Sequence, residues 1–337
     1  MASLVTIEDL GVEYRSRGEV LRAAHNVRFF IGEGEAVGLV GESGSGKSTI
    51  GKAILRLLPP NGRIVSGRIM YQGRDLAAIS PEEMRGLRWS RIAMIFQSSM
   101  NSLNPVYRVG DQIIEAIRTH NPGMKRAVAL ERTCEVLANV GIDPSRHTSY
   151  PHQLSGGMRQ RVNIAMALAL SPPLIIADEP TTALDVVTQD RVLRELKLQQ
   201  EQRRISMLLV SHDIAVIAEN CDRVAVMYAG TIAEFAPTKN IFNNPYHPYT
   251  LGLQNAFPDF RSHRALVSIP GFPPTGARSR GCMFVQRCPF AEELCSSETP
   301  RPTQVEDDHW VACHFTQRAS EFQRLARDPD TWLGRTG

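Results

Sequence analysis

Hydrophobic positions along the chain fall into two textures. Short apolar runs alternate with longer stretches in which apolar residues recur at helical spacing. Val5, Ile7, Leu10, Val12 and Tyr14, a polar turn at Arg15-Ser16-Arg17-Gly18, and then Val27, Phe29 and Ile31 predict a small antiparallel element. The run Glu35 to Val40 predicts a buried strand, followed by a helix over Thr49 to Leu58. Gly67 to Leu76 reads as strand and turn, Pro81 to Trp89 as a short helix opened by Ser80, and Ile92 to Gln97 as another buried strand. Val109 to His120 and Lys125 to Val140 carry helical periodicity, with Gly141 placed to end the second. Strands resume at Pro173 to Glu179, Ser206 to His212 and Arg223 to Tyr228, separated by helices at Thr188 to Arg203 and Ile214 to Asn220. That alternation predicts a mostly parallel sheet covered on both faces.

Between Gln97 and Leu170 the pattern is richer in helix, so a helical subdomain is expected at about 98–170. Beyond Pro237 the texture changes. Pro245, Pro248, Pro258, Pro270, Pro273 and Pro274 break any long element, and the tail is rich in Cys, Pro and Arg. The expected division is a main domain at 1–255 and a C-terminal region at 256–337, with no internal repeat.

Composition narrows this only by exclusion. The 337 residues suffice for two domains, and 42% hydrophobic with 22% charged residues describes an ordinary globular protein. A net charge of +3, with basic residues scattered, gives no support to nucleic-acid binding. Met1 to Asp9 lacks the features of a secretory signal, and no apolar run reaches the ~18 residues of a membrane span. A cytosolic protein is expected, linked to any membrane through partners. Four of the six cysteines lie after position 280, which in a reducing compartment suggests metal or redox chemistry over disulfides.

The chemistry centres on Gly41-Glu42-Ser43-Gly44-Ser45-Gly46-Lys47-Ser48, which satisfies GxxxxGK[ST] between a strand and a helix. Backbone N–H groups of such a loop, Gly41, Ser43, Gly44 and Gly46 among them, curl inward at anionic oxygens. The helix start from Lys47 through Thr49 adds its positive dipole end. Lys47 is placed to reach the β- and γ-phosphates, and the Ser48 hydroxyl to hold Mg²⁺. The alternative is a Gly/Ser-rich surface turn, which leaves the Lys-Ser ending and both flanks to accident. Leu174 to Glu179 delivers two carboxylates at the C-terminal end of an apolar strand, where ligands of open parallel sheets bind. Asp178 suits Mg²⁺, and Glu179 suits orienting or deprotonating an attacking water. Alone, the pair reads equally well as solvated strand-end acids. Leu154-Ser155-Gly156-Gly157-Met158 opens a helix nineteen positions before Pro173, offering N–H groups and a hydroxyl to a phosphate.

With these motifs in this order, residues 5–255 resemble the nucleotide-binding subunits of ATP-binding-cassette (ABC) transporters. The resemblance implies an α/β P-loop NTPase fold of the ABC nucleotide-binding type, with an antiparallel β subdomain, a helical subdomain and a small Cys-containing C-terminal domain. Gln97 matches the Q-loop glutamine, a contact of Mg²⁺ and water. Leu154 to Met158 matches the signature LSGGQ, with Met158 in place of Gln. Ala183-Leu184-Asp185 matches the D-loop, His212 the switch histidine, and Tyr14 the adenine-stacking aromatic, although a core tyrosine explains Tyr14 nearly as well. In that family two cassettes pair head to tail, so Ser155, Gly156, Gly157 and Asp185 would serve the partner's nucleotide.

Further stretches resemble the dipeptide, oligopeptide and nickel importer branch: Met94 to Gln97 with Asn101-Ser102-Leu103-Asn104-Pro105, Tyr150 to Arg161, and Asn244 to Thr250. Ser98-Ser99 departs from that branch's usual Asp-Pro. Cys282, Cys288, Cys295 and Cys313 are separated by five, six and seventeen residues, a spacing suited to a four-thiolate site. It resembles the branch's C-terminal region, where some members hold a 4Fe-4S cluster. Structural zinc, with His309 or His314 replacing Cys295 or Cys313, and unmetallated thiols are the alternatives. Cys134 and Cys221 read as small core residues.

The resemblance thus implies an ATPase energising peptide import at the cytoplasmic face of the membrane. Expected partners are a homologous but different cassette, so that the ATPase is a heterodimer, together with two permeases and an extracytoplasmic binding protein. Nickel, oligosaccharide or opine import, a soluble cassette without a permease, and an iron–sulfur sensor are the rival readings.

Overall fold

The computed structural model describes residues 3–16, 18–97, 102–181, 184–256, 269–274 and 280–333. Of the positions named above, Met1, Arg17, Ser98, Ser99, Asn101, Ala183 and Pro258 lie outside the described residues. The strands in chain order are β1 (Ser3–Ser16), β2 (Glu19–Gly32), β3 (Ala36–Val40), β4 (Gly62–Tyr71), β5 (Arg74–Asp75), β6 (Ile92–Ile95), β7 (Leu174–Asp178), β8 (Ser206–Ser211), β9 (Arg223–Tyr228), β10 (Thr231–Pro237), β11 (Thr303–Glu306) and β12 (His309–Val311). The chain divides into two compact units, one of residues 1–4, 31–36 and 78–210 and the other of 5–30, 37–77 and 211–337.

In the first unit β6, β7 and β8 pair in parallel, with Ile176 opposite both Met94 and Leu208. Every residue of β7 and β8 is buried, as strands covered on both faces require. The helices Val109–His120 and Arg126–Asn139 pack in this unit, the first burying Val109, Ile113, Ile114 and Ile117 along one stripe. The helix Pro81–Leu87 starts at Ser80 in a reciprocal cap, with Glu83 N donating to the Ser80 hydroxyl and Ser80 N to the Glu83 carboxylate.

The second unit holds two sheets. One runs β2-β1-β4-β5 and is the expected antiparallel element, extended by β4 pairing antiparallel with β1. The other runs β3-β9-β10-β12-β11, parallel between β3 and β9 and antiparallel thereafter. The strands β10 to β12 were not expected. A two-residue turn, Ala229-Gly230, with both φ angles positive at 43° and 88°, folds β10 back on β9. The tail then adds β12 beside β10, so residues after 300 complete this sheet.

The helix after the phosphate loop spans Lys47–Ile54, shorter than the expected run to Leu58. Arg56 at φ 50° ends it: Leu57 N donates to Lys52 O at 2.8 Å and Arg56 N to Ala53 O at 3.0 Å, a left-handed C-terminal cap.

Candidate nucleotide-binding site

The phosphate loop follows β3, whose five residues are all buried. Its first and sixth positions admit only glycine. A Cβ on Gly41 would stand 2.0 Å from Met227 O, and one on Gly46, at φ +102°, 2.2 Å from Ala23 O. Gly46 caps the helix Lys47–Ile54 without any side-chain acceptor, so the helix start presents backbone N–H groups and dipole. Lys47 is 5% exposed and donates from Nζ to Gly41 O at 2.7 Å and Glu42 O at 2.8 Å. Its ammonium thus rests on two carbonyls of its own loop. Ser43 and Gly44 are exposed, Ser48 half-buried, and Gly230 N holds the loop by donating to Ser45 O at 2.9 Å. Tyr14, on β1, sits beside this helix, its hydroxyl 3.1 Å from Thr49 Oγ1. His212 lies in the same compact unit, exposed just past β8, followed by Asp213, which caps the helix Ile214–Asn220 by accepting from Ala215 N and Val216 N.

The other unit carries the acidic strand end. Asp178, the last residue of β7, is 2% exposed. Glu179 follows at φ 45°, a left-handed conformation uncommon for a residue with a side chain, and its N donates to Val210 O at 2.9 Å. Gln97 Nε2 donates to Glu179 Oε2 at 2.8 Å, joining two candidates that lie eighty-two positions apart.

Ser155 caps the helix Gly156–Leu168, its hydroxyl accepting from Met158 N at 3.3 Å. A Cβ on Gly157 would meet Thr188 Cγ2 at 2.6 Å, whereas Gly156 borders open space. Asp185 caps the helix Val186–Arg203, accepting from Thr188 N at 3.0 Å and from Thr188 Oγ1 at 2.7 Å. Those bonds hold its carboxyl below the usual range. Thr188 therefore joins Asp185 to the Gly157 turn, a role that no motif pointed to. Gln160, the fifth residue of the helix Gly156–Leu168, is buried and donates to Pro180 O, tying that helix to the loop after Glu179.

A family model described as "ABC transporter" matches residues 24–182, and one described as "Oligopeptide/dipeptide transporter, C-terminal region" matches 233–295. A probable peptide ABC transporter ATP-binding protein of Sinorhizobium fredii is 46% identical over 316 residues, covering 92% of this chain and 94% of that protein. The chain belongs to the ABC transporter ATP-binding proteins. The dipeptide transport ATP-binding protein of Escherichia coli is 43% identical over 317 residues, with 93% and 97% covered. Among solved structures, a post-hydrolysis cassette dimer bound to ADP and Pi aligns at TM-score 0.63 and 29% identity, covering 69% of this chain and 98% of that one. This ABC protein is accordingly an ATPase with the P-loop fold.

The cysteines after position 280 line one small cavity of about 20 Å³ together with Phe284, Phe290 and His314. Cys288 and Cys295 are buried, Cys282 and Cys313 half-buried, and Cys282 N donates to Cys295 O at 2.7 Å. Burial pushes the Cys288 thiol up, and that of Cys313 up to about 12. Among the described residues no group of three or more His, Cys, Asp or Glu is arranged to hold a metal ion. The donor type suits a four-thiolate group, but the thiols share a cavity without forming a coordination shell. His309 lies apart from it, bonded to Glu234. Cys221 is buried and Cys134 half-buried in its helix. Among the described residues no helix is long and apolar enough to cross a membrane.

Proposed function

We propose that this ATPase energises import of di- or oligopeptides as the peripheral, cytoplasmic-face subunit of an ABC transporter. One observation carries the reading: relatives named for peptide transport match almost the whole chain at 42–46% identity, and the matched C-terminal region is named for oligopeptide and dipeptide transporters. ATP would lie on Gly41, Ser43, Gly44, Gly46, Lys47, Ser48 and Thr49, with Tyr14 against the base. Ser48, Asp178 and Gln97 supply oxygen donors of the kind Mg²⁺ takes, and the ion would neutralise phosphate charge. Glu179 orients or deprotonates the attacking water, with His212 contacting the γ-phosphate. Ser155, Gly156, Gly157 and Asp185 serve the nucleotide of a second cassette, a homologous chain. Val186 and Val187, 83% and 80% exposed beside Asp185, support a partner surface there. Two permeases and an extracytoplasmic binding protein complete the assembly. The nucleotide-binding domain is taken as 1–255 and the C-terminal region as 256–337.

We further propose that Cys282, Cys288, Cys295 and Cys313 close on an iron–sulfur cluster. The support is the donor set alone, four thiols on one apolar cavity. Iron and acid-labile sulfide in anaerobically purified protein test this. Their absence sinks the cluster, and stoichiometric zinc would replace it.

The transport reading is tested by co-purifying the chain with its permeases, reconstituting the complex, and measuring ATP-driven uptake of labelled peptides. Uptake that needs the peptide-loaded binding protein supports it; uptake of nickel or oligosaccharide in place of peptide refutes the substrate class.

A further inference from the structure

The second residue of the phosphate loop is an acid, which is an odd choice for a loop that binds anions. Glu42 would repel the phosphates unless its charge were compensated. Compensation comes from far along the chain. Arg287 grips the Glu42 carboxylate with both ends of its guanidinium, Nη1 to Oε2 at 2.8 Å and Nη2 to Oε1 at 3.0 Å. Its side chain is 7% exposed, and its other donors are used: Nε to Pro270 O at 2.8 Å, Nη2 to Ile269 O at 3.2 Å and Nη1 to Tyr228 Oη at 3.3 Å. A planar fork with every donor engaged is a fixed support. Glu42 is held at its backbone as well, its N donating to Tyr249 Oη at 3.0 Å while its O accepts from Lys47 Nζ at 2.8 Å. The peptide on which Lys47 rests is thus braced by Arg287 and Tyr249.

We propose that Arg287 is a positioning residue for nucleotide binding, through which the C-terminal region sets the affinity of the phosphate loop for ATP. This rests on the reading of that loop as the ATP site. Arg287 cancels the Glu42 charge and fixes the carbonyl that Lys47 leaves when it turns to phosphate. It also immediately precedes Cys288, which lines the cysteine cavity, so repacking of that cavity reaches the phosphate loop through one residue.

Titration of the full chain with fluorescent Mg·ATP analogue, and KM against kcat in the assembled complex, test the assignment. Arg287→Met is expected to weaken ATP binding at least about fivefold, the scale of a modest coupling between sites, while kcat at saturating ATP stays within about twofold of wild type. Glu42→Gln should bind at least as tightly as wild type. Glu42→Gln with Arg287→Met should recover most of the loss, because no unpaired carboxylate remains, and Arg287→Lys should fall between. Wild-type affinity in Arg287→Met, or a double variant as weak as that single one, overturns the proposal. A purely structural role would lower the melting temperature of both variants alike without this rescue. If Arg287→Met does not fold, Arg287→Lys and the double variant decide the same question. Lys47→Ala is the control: if it binds ATP like wild type, the reading of the loop itself fails, independently of Arg287.

Discussion

Gln97 and Glu179 are joined by a 2.8 Å hydrogen bond, and Glu179 holds its end of it from a left-handed backbone at φ 45°. That conformation costs a non-glycine residue about 1–2 kcal/mol. It is sustained by the bond from Glu179 N to Val210 O and by Gln160 on the next carbonyl, that of Pro180. The strain turns the carboxylate out of the strand, at the C-terminal end of β7. Glu179→Gln keeps the shape and removes the carboxylate proposed as the base, so ATP hydrolysis in the complex should fall by about 10²–10⁴ with ATP binding intact. Glu179→Gly relieves the strain and should lose hydrolysis equally while gaining stability. Undiminished hydrolysis in Glu179→Gln would remove Glu179 from the catalytic role.

Gly46→Ala tests the phosphate loop by geometry alone. At φ +102°, with Ala23 O 2.2 Å from the new Cβ, the loop must move away from β2. Lys47 begins the helix at that point, so its rest on Gly41 O and Glu42 O is lost with the loop. ATP binding should drop below detection, while the far-UV circular dichroism of the folded chain changes little. Calorimetric titration with Mg·ATP checks it.

The parallel strands and the phosphate loop were legible because each carries its own signal, an unbroken apolar run or a fixed glycine spacing. The strand β9 and the helices Val109–His120 and Ile214–Asn220 match their expected bounds for that reason. The strand β10 was hidden because its turn uses Ala229 where Asn or Asp would have announced a hairpin, and because Glu234 interrupts its apolar run. Glu234 belongs inside because the backbone N–H groups of Tyr246 and His247 and the ring of His309, seventy-five positions later, meet it. Contacts of this range leave no local pattern. Arg287 and Glu42 were illegible on the same ground, and Thr188 because a threonine in a first helical turn is ordinary.

The Glu234 carboxyl is fully buried and accepts from Tyr246 N at 2.7 Å, His247 N at 3.0 Å and His309 Nε2 at 2.7 Å. It therefore fastens β10, β12 and the Asn244 to His247 segment at one point. Glu234→Ala strands three donors, two of them buried, and should cost about 3–5 kcal/mol, read as a shift of the urea midpoint. The tail carrying β12 should become the first site of limited proteolysis. A shift below about 1 kcal/mol, at the level of a single exposed ion pair, would show that the node is not a fastener.

His247 gives the fold a pH dependence whose sign is fixed by burial. The ring is 4% exposed and accepts from Tyr249 N at Nδ1, 3.0 Å away, so the fold needs it neutral. Burial lowers its pKa to about 4 from 6.5, with Glu234 opposing the shift only in part. In the unfolded chain the histidine binds its proton near pH 6.5, so between pH 6.5 and 4 the unfolded state carries more protons. This group's contribution is complete above pH 6.5, declines as pH falls, and is exhausted below about 4. Its full span is on the order of 3 kcal/mol. Urea unfolding at pH 7.5 and pH 5 should show wild type losing more stability than His247→Gln, which cannot titrate. Carboxylates contribute a common background to both proteins, so the difference of their slopes isolates the ring. Equal slopes would mean that His247 is protonated within the fold and that Tyr249 N has another acceptor.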